Sequence, residues 1–124
     1  MLTDCPPVAF ILTPDIDRAR TFYADTLGLT QTAEDDFAVT YDLAGTMLRL
    51  TKVAGWQPHP HTVLGWLVAD VPAKVAELRA RGVEFAIYEG MGQDADGIWS
   101  APGGGPKIAW FHDPDGNNLS LTQF

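Results

Sequence analysis

Asp15-Ile16-Asp17-Arg18-Ala19-Arg20-Thr21-Phe22-Tyr23-Ala24-Asp25-Thr26-Leu27-Gly28 reads as one helix with both ends marked. Asp15 can cap it, because a carboxylate there accepts a hydrogen bond from a free backbone N–H of the first turn. Ile16, Ala19, Phe22, Tyr23 and Leu27 recur at helical spacing, so one face is buried. Gly28 stops the helix, since glycine tolerates the left-handed backbone that follows a last turn. The same signals return downstream. Asp70 is a second cap, Pro72 sits in the first turn, and Val71, Val75 and Leu78 share a face before Gly82. Asp70 follows Asp15 by 55 positions and Gly82 follows Gly28 by 54. Such equal spacing marks an internal duplication.

Each helix sits among β-prone runs. In the first half these are 8–13, 29–33, 37–43 and 46–53, with a turn at Ala44-Gly45; in the second they are 63–68, 83–89, 97–101, 107–112 and 118–122. The fold class is therefore α+β, two βαβββ modules with one helix per module. Module one spans about 8–53 and module two about 62–124, joined by a linker over 54–61 that contains Gly55, Pro58 and Pro60. At 124 residues this is the size of a single domain, 1–124, with the linker inside it. One helix covers only one face of a small sheet, so the opposite faces are left to line a cleft.

Composition narrows the function. A formal net charge of −8 argues against nucleic acid and against an anionic membrane surface. No apolar run approaches the ~20 residues of a membrane span, and residues 1–7 lack the pattern of a signal peptide, which makes the cytoplasm the expected location. Cys5 is the only cysteine, so no intrachain disulfide or cysteine-rich zinc site can form. The Gly103-Gly104-Gly105 run lacks the lysine, the hydroxyl residue and the helix that a phosphate-binding loop requires.

Three stretches resemble the vicinal-oxygen-chelate superfamily, the glyoxalase, bleomycin-resistance and dioxygenase type. They are Asp15 to Tyr23 running into Leu27-Gly28-Leu29, then Val68-Ala69-Asp70-Val71, then Phe111-His112-Asp113-Pro114-Asp115-Gly116-Asn117. The resemblance implies a U-shaped mixed sheet with the helices outside, usually a homodimer. In the family's enzymes the sheet surrounds a divalent metal held by His, Gln or Glu from the first and last strands of each half. Other members bind and sequester drugs. Carried onto this chain, those four positions fall on Val8, Arg49, Val63 and Ser120. Valine has no donor atom, arginine is a permanent cation, and serine is a poor substitute for a carboxylate. The expectation is a small-molecule binding protein that uses no metal and no cofactor. The alternative is a glyoxalase- or dioxygenase-like lyase, isomerase or oxidoreductase, with a metal-free site or one relocated to His59, His61 or His112.

Strand alternation gives the candidate ligand-binding residues. Phe10 shares a face with Val8, Met47 and Arg49 lie on the first module's last strand, and Asn118 and Ser120 lie on the second's. Trp56, Trp99 and Trp110 complete the set, as stacking surfaces for a planar ligand or as plugs of a sheet edge or a dimer contact. Trp66 falls on the helix side. Arg49 requires either a carboxylate neighbour or an anionic ligand group.

Overall fold

The computed structural model describes residues 1–124, which divide into two compact units, Met1–Gln57 and Pro58–Phe124. The break falls inside the expected linker. Each unit contains one helix and a four-stranded mixed sheet.

In the first unit, β1 (Val8–Thr13) leads to α1 (Ile16–Arg20), then to β2 (Thr30–Glu34), β3 (Ala38–Leu43) and β4 (Thr46–Lys52). The sheet order is β1-β4-β3-β2, with β1 parallel to β4 and the other pairs antiparallel. The Asp15 carboxylate accepts from the Arg18 N–H at 3.1 Å, as its position in sequence requires. Beyond α1 the chain departs from the regular helix expected. Residues 21–26 form a π-helical turn, closed by the Leu27 N–H donating to the Phe22 carbonyl at 2.9 Å. The wider turn keeps Phe22 and Tyr23 edge to face, 5.2 Å apart. Tyr23 is buried with Ile11, Val39, Tyr41, Leu48 and Leu50 between helix and sheet. Gly28 then takes φ 73°, the left-handed stop.

The second unit repeats the plan. Its elements are β5 (Thr62–Leu67), α2 (Val71–Ala80), β6 (Ile98–Ser100), β7 (Lys107–His112) and β8 (Asn118–Gln123), in the sheet order β5-β8-β7-β6. Asp70 caps α2 by accepting from the Ala73 N–H at 3.0 Å. Val71, Val75 and Leu78 pack with Phe111, Leu119 and Leu121. Trp66 stacks on Phe111 on this helix side, 6.3 Å between rings.

One expected strand is absent. Residues 83–89 make only a single bridge, Phe85 to Phe111. The reason lies in Gln93, whose amide accepts from the Tyr88 N–H and donates to the Ala86 and Gly97 carbonyls. Those bonds draw 86–97 into a closed loop, which turns through Gly90 and Gly92 at positive φ. A shorter difference lies in β5. Thr62 pairs with Asn118 and Leu64 with Leu119, so Val63 is an inserted bulge residue. Thr62, not Val63, stands opposite Asn118.

Candidate functional site

Two side-chain rows on the faces away from the helices hold four of the eight candidate residues. In the first sheet the row is Phe10, Arg49 and Thr40, on adjacent strands β1, β4 and β3. Phe10 is 58% exposed, and Val8 and Met47 are exposed one step along the same face. Arg49 has the carboxylate neighbour its position required. Its Nη2 donates to Asp35 Oδ2 at 3.0 Å, and its Nη1 reaches Thr40 Oγ1 at 3.5 Å. Asp35 is itself anchored, with Oδ1 accepting from the N–H groups of Phe37 and Ala38. The Phe37 N–H, the Arg49 guanidinium and the Ala38 N–H together hold this carboxyl below its ordinary pKa.

In the second sheet the corresponding row is Gly65, Ser120 and Trp110 on β5, β8 and β7. Ser120 is only 7% exposed, and its Oγ lies 2.5 Å from where a Cβ on residue 65 would stand. Glycine at 65 is what lets the hydroxyl lean there. One step along, Asn118 is 4% exposed; its Oδ1 accepts from Thr62 Oγ1 at 3.0 Å and its Nδ2 donates to Tyr88 Oη at 2.8 Å. The Tyr88 ring meets Trp110 edge-on at 5.8 Å. Trp99 pairs with Ile108 and so projects on the same face as Trp110.

Of the eight candidates, the structure brings Phe10, Met47 and Arg49 onto one face of the first sheet. It brings Trp99, Trp110, Asn118 and Ser120 onto one face of the second. Trp56 belongs to neither face; it lies beyond β4 in the linker, its N–H donating to the Val53 carbonyl at 3.2 Å. Sequence reasoning missed Tyr88, because it read 83–89 as a strand. The glycines at 90 and 92 were the available sign that a loop begins there. It also missed Asp35 as the partner of Arg49 and Thr62 as the partner of Asn118.

The four positions where the resemblance places metal ligands carry other chemistry. Val8 and Val63 offer no donor, Arg49 is a cation already bonded to Asp35, and Ser120 offers one neutral hydroxyl. This set does not fit a divalent metal. Nor do three or more His, Cys, Asp or Glu side chains gather anywhere in the chain. His59 and His61 are exposed and stack ring on ring at 5.9 Å, and His112 is exposed at the end of β7. No helix is long and apolar enough to cross a membrane.

Duplicated βαβββ units, with the cap, stop and turn motifs in place, define a class that comparison confirms. The chain belongs to the glyoxalase/bleomycin resistance protein/dioxygenase superfamily, whose model matches residues 6–121. Among solved structures it is similar to a superfamily member from Sphaerobacter thermophilus DSM 20745, at 24% identity with TM-score 0.76, covering 100% of both chains. It is also similar to a genomically encoded fosfomycin resistance protein from Listeria monocytogenes, at 12% identity with TM-score 0.73, covering 95% of this chain and 91% of that one. A lactoylglutathione lyase from Agrobacterium tumefaciens gives 20% identity and TM-score 0.66, covering 97% and 93%. No curated protein matches the sequence significantly. At these identities the likeness is one of fold.

Proposed function

We propose that this protein binds a small organic molecule against a helix-free sheet face and does so without a metal ion. The observation that carries the reading is Arg49, a permanent cation where the family resemblance puts a carboxylate ligand, with its charge answered by Asp35 at 3.0 Å. A divalent ion beside it would meet repulsion instead of electron pairs. What remains suited to binding is surface. Phe10 and Met47 on one sheet, and Trp99 and Trp110 on the other, offer apolar and planar area, while Asn118 and Ser120 offer hydrogen bonds. The enzyme reading finds less support, since His59, His61 and His112 are exposed and none belongs to a group of three or more side chains that could hold a metal.

The proposal takes the chain as one vicinal-oxygen-chelate domain acting as a cytoplasmic homodimer. The match over 6–121 supports a single domain, and the fully exposed edge strand β2 offers a sheet edge that a second chain would cover. The test is elemental analysis after incubation with zinc, manganese, nickel and iron(II) and exhaustive dialysis. The expected result is no stoichiometric metal, together with melting shifts from a small-molecule panel that metal chelators leave unchanged. One tightly held divalent ion per chain would overturn it.

A further inference from the structure

The second sheet says what kind of molecule suits it. Its helix-free face, read strand by strand, carries Gly65 and Leu67, Ser120 and Thr122, Ile108 and Trp110, with Trp99 at the edge and Asn118 and His112 at the end. No Asp, Glu, Lys or Arg stands on it. The chain as a whole is acidic, and the first sheet's face has Arg49 and Asp42, so this neutrality is local. A charged ligand would lose its hydration there and find no opposite charge.

Two hydroxyls beside Trp110 have hydrogens with no acceptor. Thr62 donates to Asn118, and Asn118 donates to Tyr88 Oη; the Tyr88 O–H hydrogen itself goes to nothing in the chain. A chain of bonds running in one direction polarises its last member, which makes that hydrogen the stronger donor. Ser120 is the second. The residue is nine-tenths buried, and its hydroxyl leans over Gly65 and has no partner. It is not sealed away, for the fully enclosed unpaired side-chain atoms are Arg20 Nε and Tyr41 Oη alone. A buried hydroxyl left unpaired is costly, so a site open on one side favours whatever completes the bond. Asn118 and Ser120 are two residues apart on one strand, about 7 Å, and the Trp110 ring lies opposite Ser120 and against Tyr88.

We infer that the second sheet selects an uncharged planar ligand carrying a carbonyl, whose oxygen can accept two hydrogen bonds, stacked on Trp110 and bonded by the Tyr88 and Ser120 hydroxyls. This rests on the ligand-binding reading above and adds the class of ligand and two specificity-determining hydroxyls, those of Tyr88 and Ser120.

Four naphthalenes separate the two ideas: 2-acetylnaphthalene, 2-ethylnaphthalene, 2-naphthoate and 2-naphthylmethylammonium. Each is titrated into the protein while the indole N–H resonances of Trp99 and Trp110 are followed by NMR. The ketone is expected to bind at least about tenfold more tightly than either ion, a difference near 1.4 kcal/mol. Tyr88→Phe and Ser120→Ala should each weaken the ketone about five- to tenfold and leave ethylnaphthalene unchanged, with melting curves showing that both variants fold. If 2-naphthoate binds best, or if neither variant distinguishes ketone from hydrocarbon, the inference fails while the binding sheet stands. If no probe moves the Trp99 or Trp110 signals, both fail.

Discussion

Arg49 and Ser120 occupy the same place in two sheets of one topology, in the middle of the row on the strand that closes each unit. Around them the bulk and the polarity are exchanged. In the first row a large ring, Phe10, stands on the first strand and a small Thr40 on the third; in the second, glycine stands on the first strand and Trp110 on the third. The first row is electrostatically complete, because Arg49 has Asp35 and Thr40. The second is neutral and incomplete, because Ser120 has no partner. A duplicated fold fixes where side chains go and leaves what they do to each copy separately. That is why the two faces are not equivalent. One has been closed by an ion pair, and the other has been left with hydrogens to donate.

The hairpin turns before β4 and β8 allow the sharpest break between copies. Asp42 makes one exposed bond, Oδ1 accepting from the Gly45 N–H at 2.9 Å. Asp113 is buried, and accepts from the N–H groups of Asp115 and Asn117 and from Asn117 Nδ2. Asp113→Ala is therefore expected to cost about 3 kcal/mol or more, leaving buried donors unpaired, and Asp42→Ala about 1 kcal/mol or less. Urea unfolding of the two variants measures both; equal costs would mean the turns are equivalent after all. A smaller effect comes from Tyr41 and Phe111, which hold matching positions opposite Leu48 and Leu119 and are both fully buried. Tyr41 carries a hydroxyl with no protein partner, and burial, its main influence, raises its pKa. Tyr41→Phe makes the first copy like the second and is expected to stabilise the protein by about 1 kcal/mol. A loss of stability would show that the hydroxyl is satisfied and that the two rings are not counterparts.

Much of this was legible in the residues. Cap and stop signals at Asp15, Gly28, Asp70 and Gly82 placed both helices, and alternation correctly put Phe10 outward and Ile11 inward. Local rules succeed there because each signal acts within a turn or a strand. The misses share the opposite property. Gln93 gathers Tyr88, Ala86 and Gly97 from both sides, and no propensity scale records a side chain that replaces a strand's bonds. The bulge at Val63 shows only in the register with β8, whose residues lie more than fifty positions away. For Arg49 the need for a partner was readable; that Asp35 would supply it depends on how β2 ends and β3 begins. Asn118 and Ser120 were placed on the right strand from the turn motif, but their partners Thr62 and Tyr88 came only with the loop and the bulge.

The smallest expected effect tests whether charge really divides the two faces. Asp35 has its pKa lowered first by the Phe37 N–H and then by Arg49 and the Ala38 N–H. A carboxyl whose pKa is lower in the folded chain stabilises the fold while ionised, fully so above its unfolded value of about 4. As pH falls through that value the unfolded chain takes up the proton first, and the contribution fades until the folded carboxyl is protonated too. Asp35→Asn should therefore melt slightly below the parent protein at pH 7, and the gap should close as the pH falls from about 4 downward. Ser120 does not titrate, so the difference between Ser120→Ala and the parent should not depend on pH over the same range. Melting midpoints at pH 7, 5, 4 and 3 decide it. Because the Arg49–Asp35 pair is partly exposed, salt should shrink the Asp35→Asn gap as well. A gap that persists unchanged at low pH would mean Asp35 acts through its shape in the turn and not its charge, and that the first face is no more electrostatic than the second.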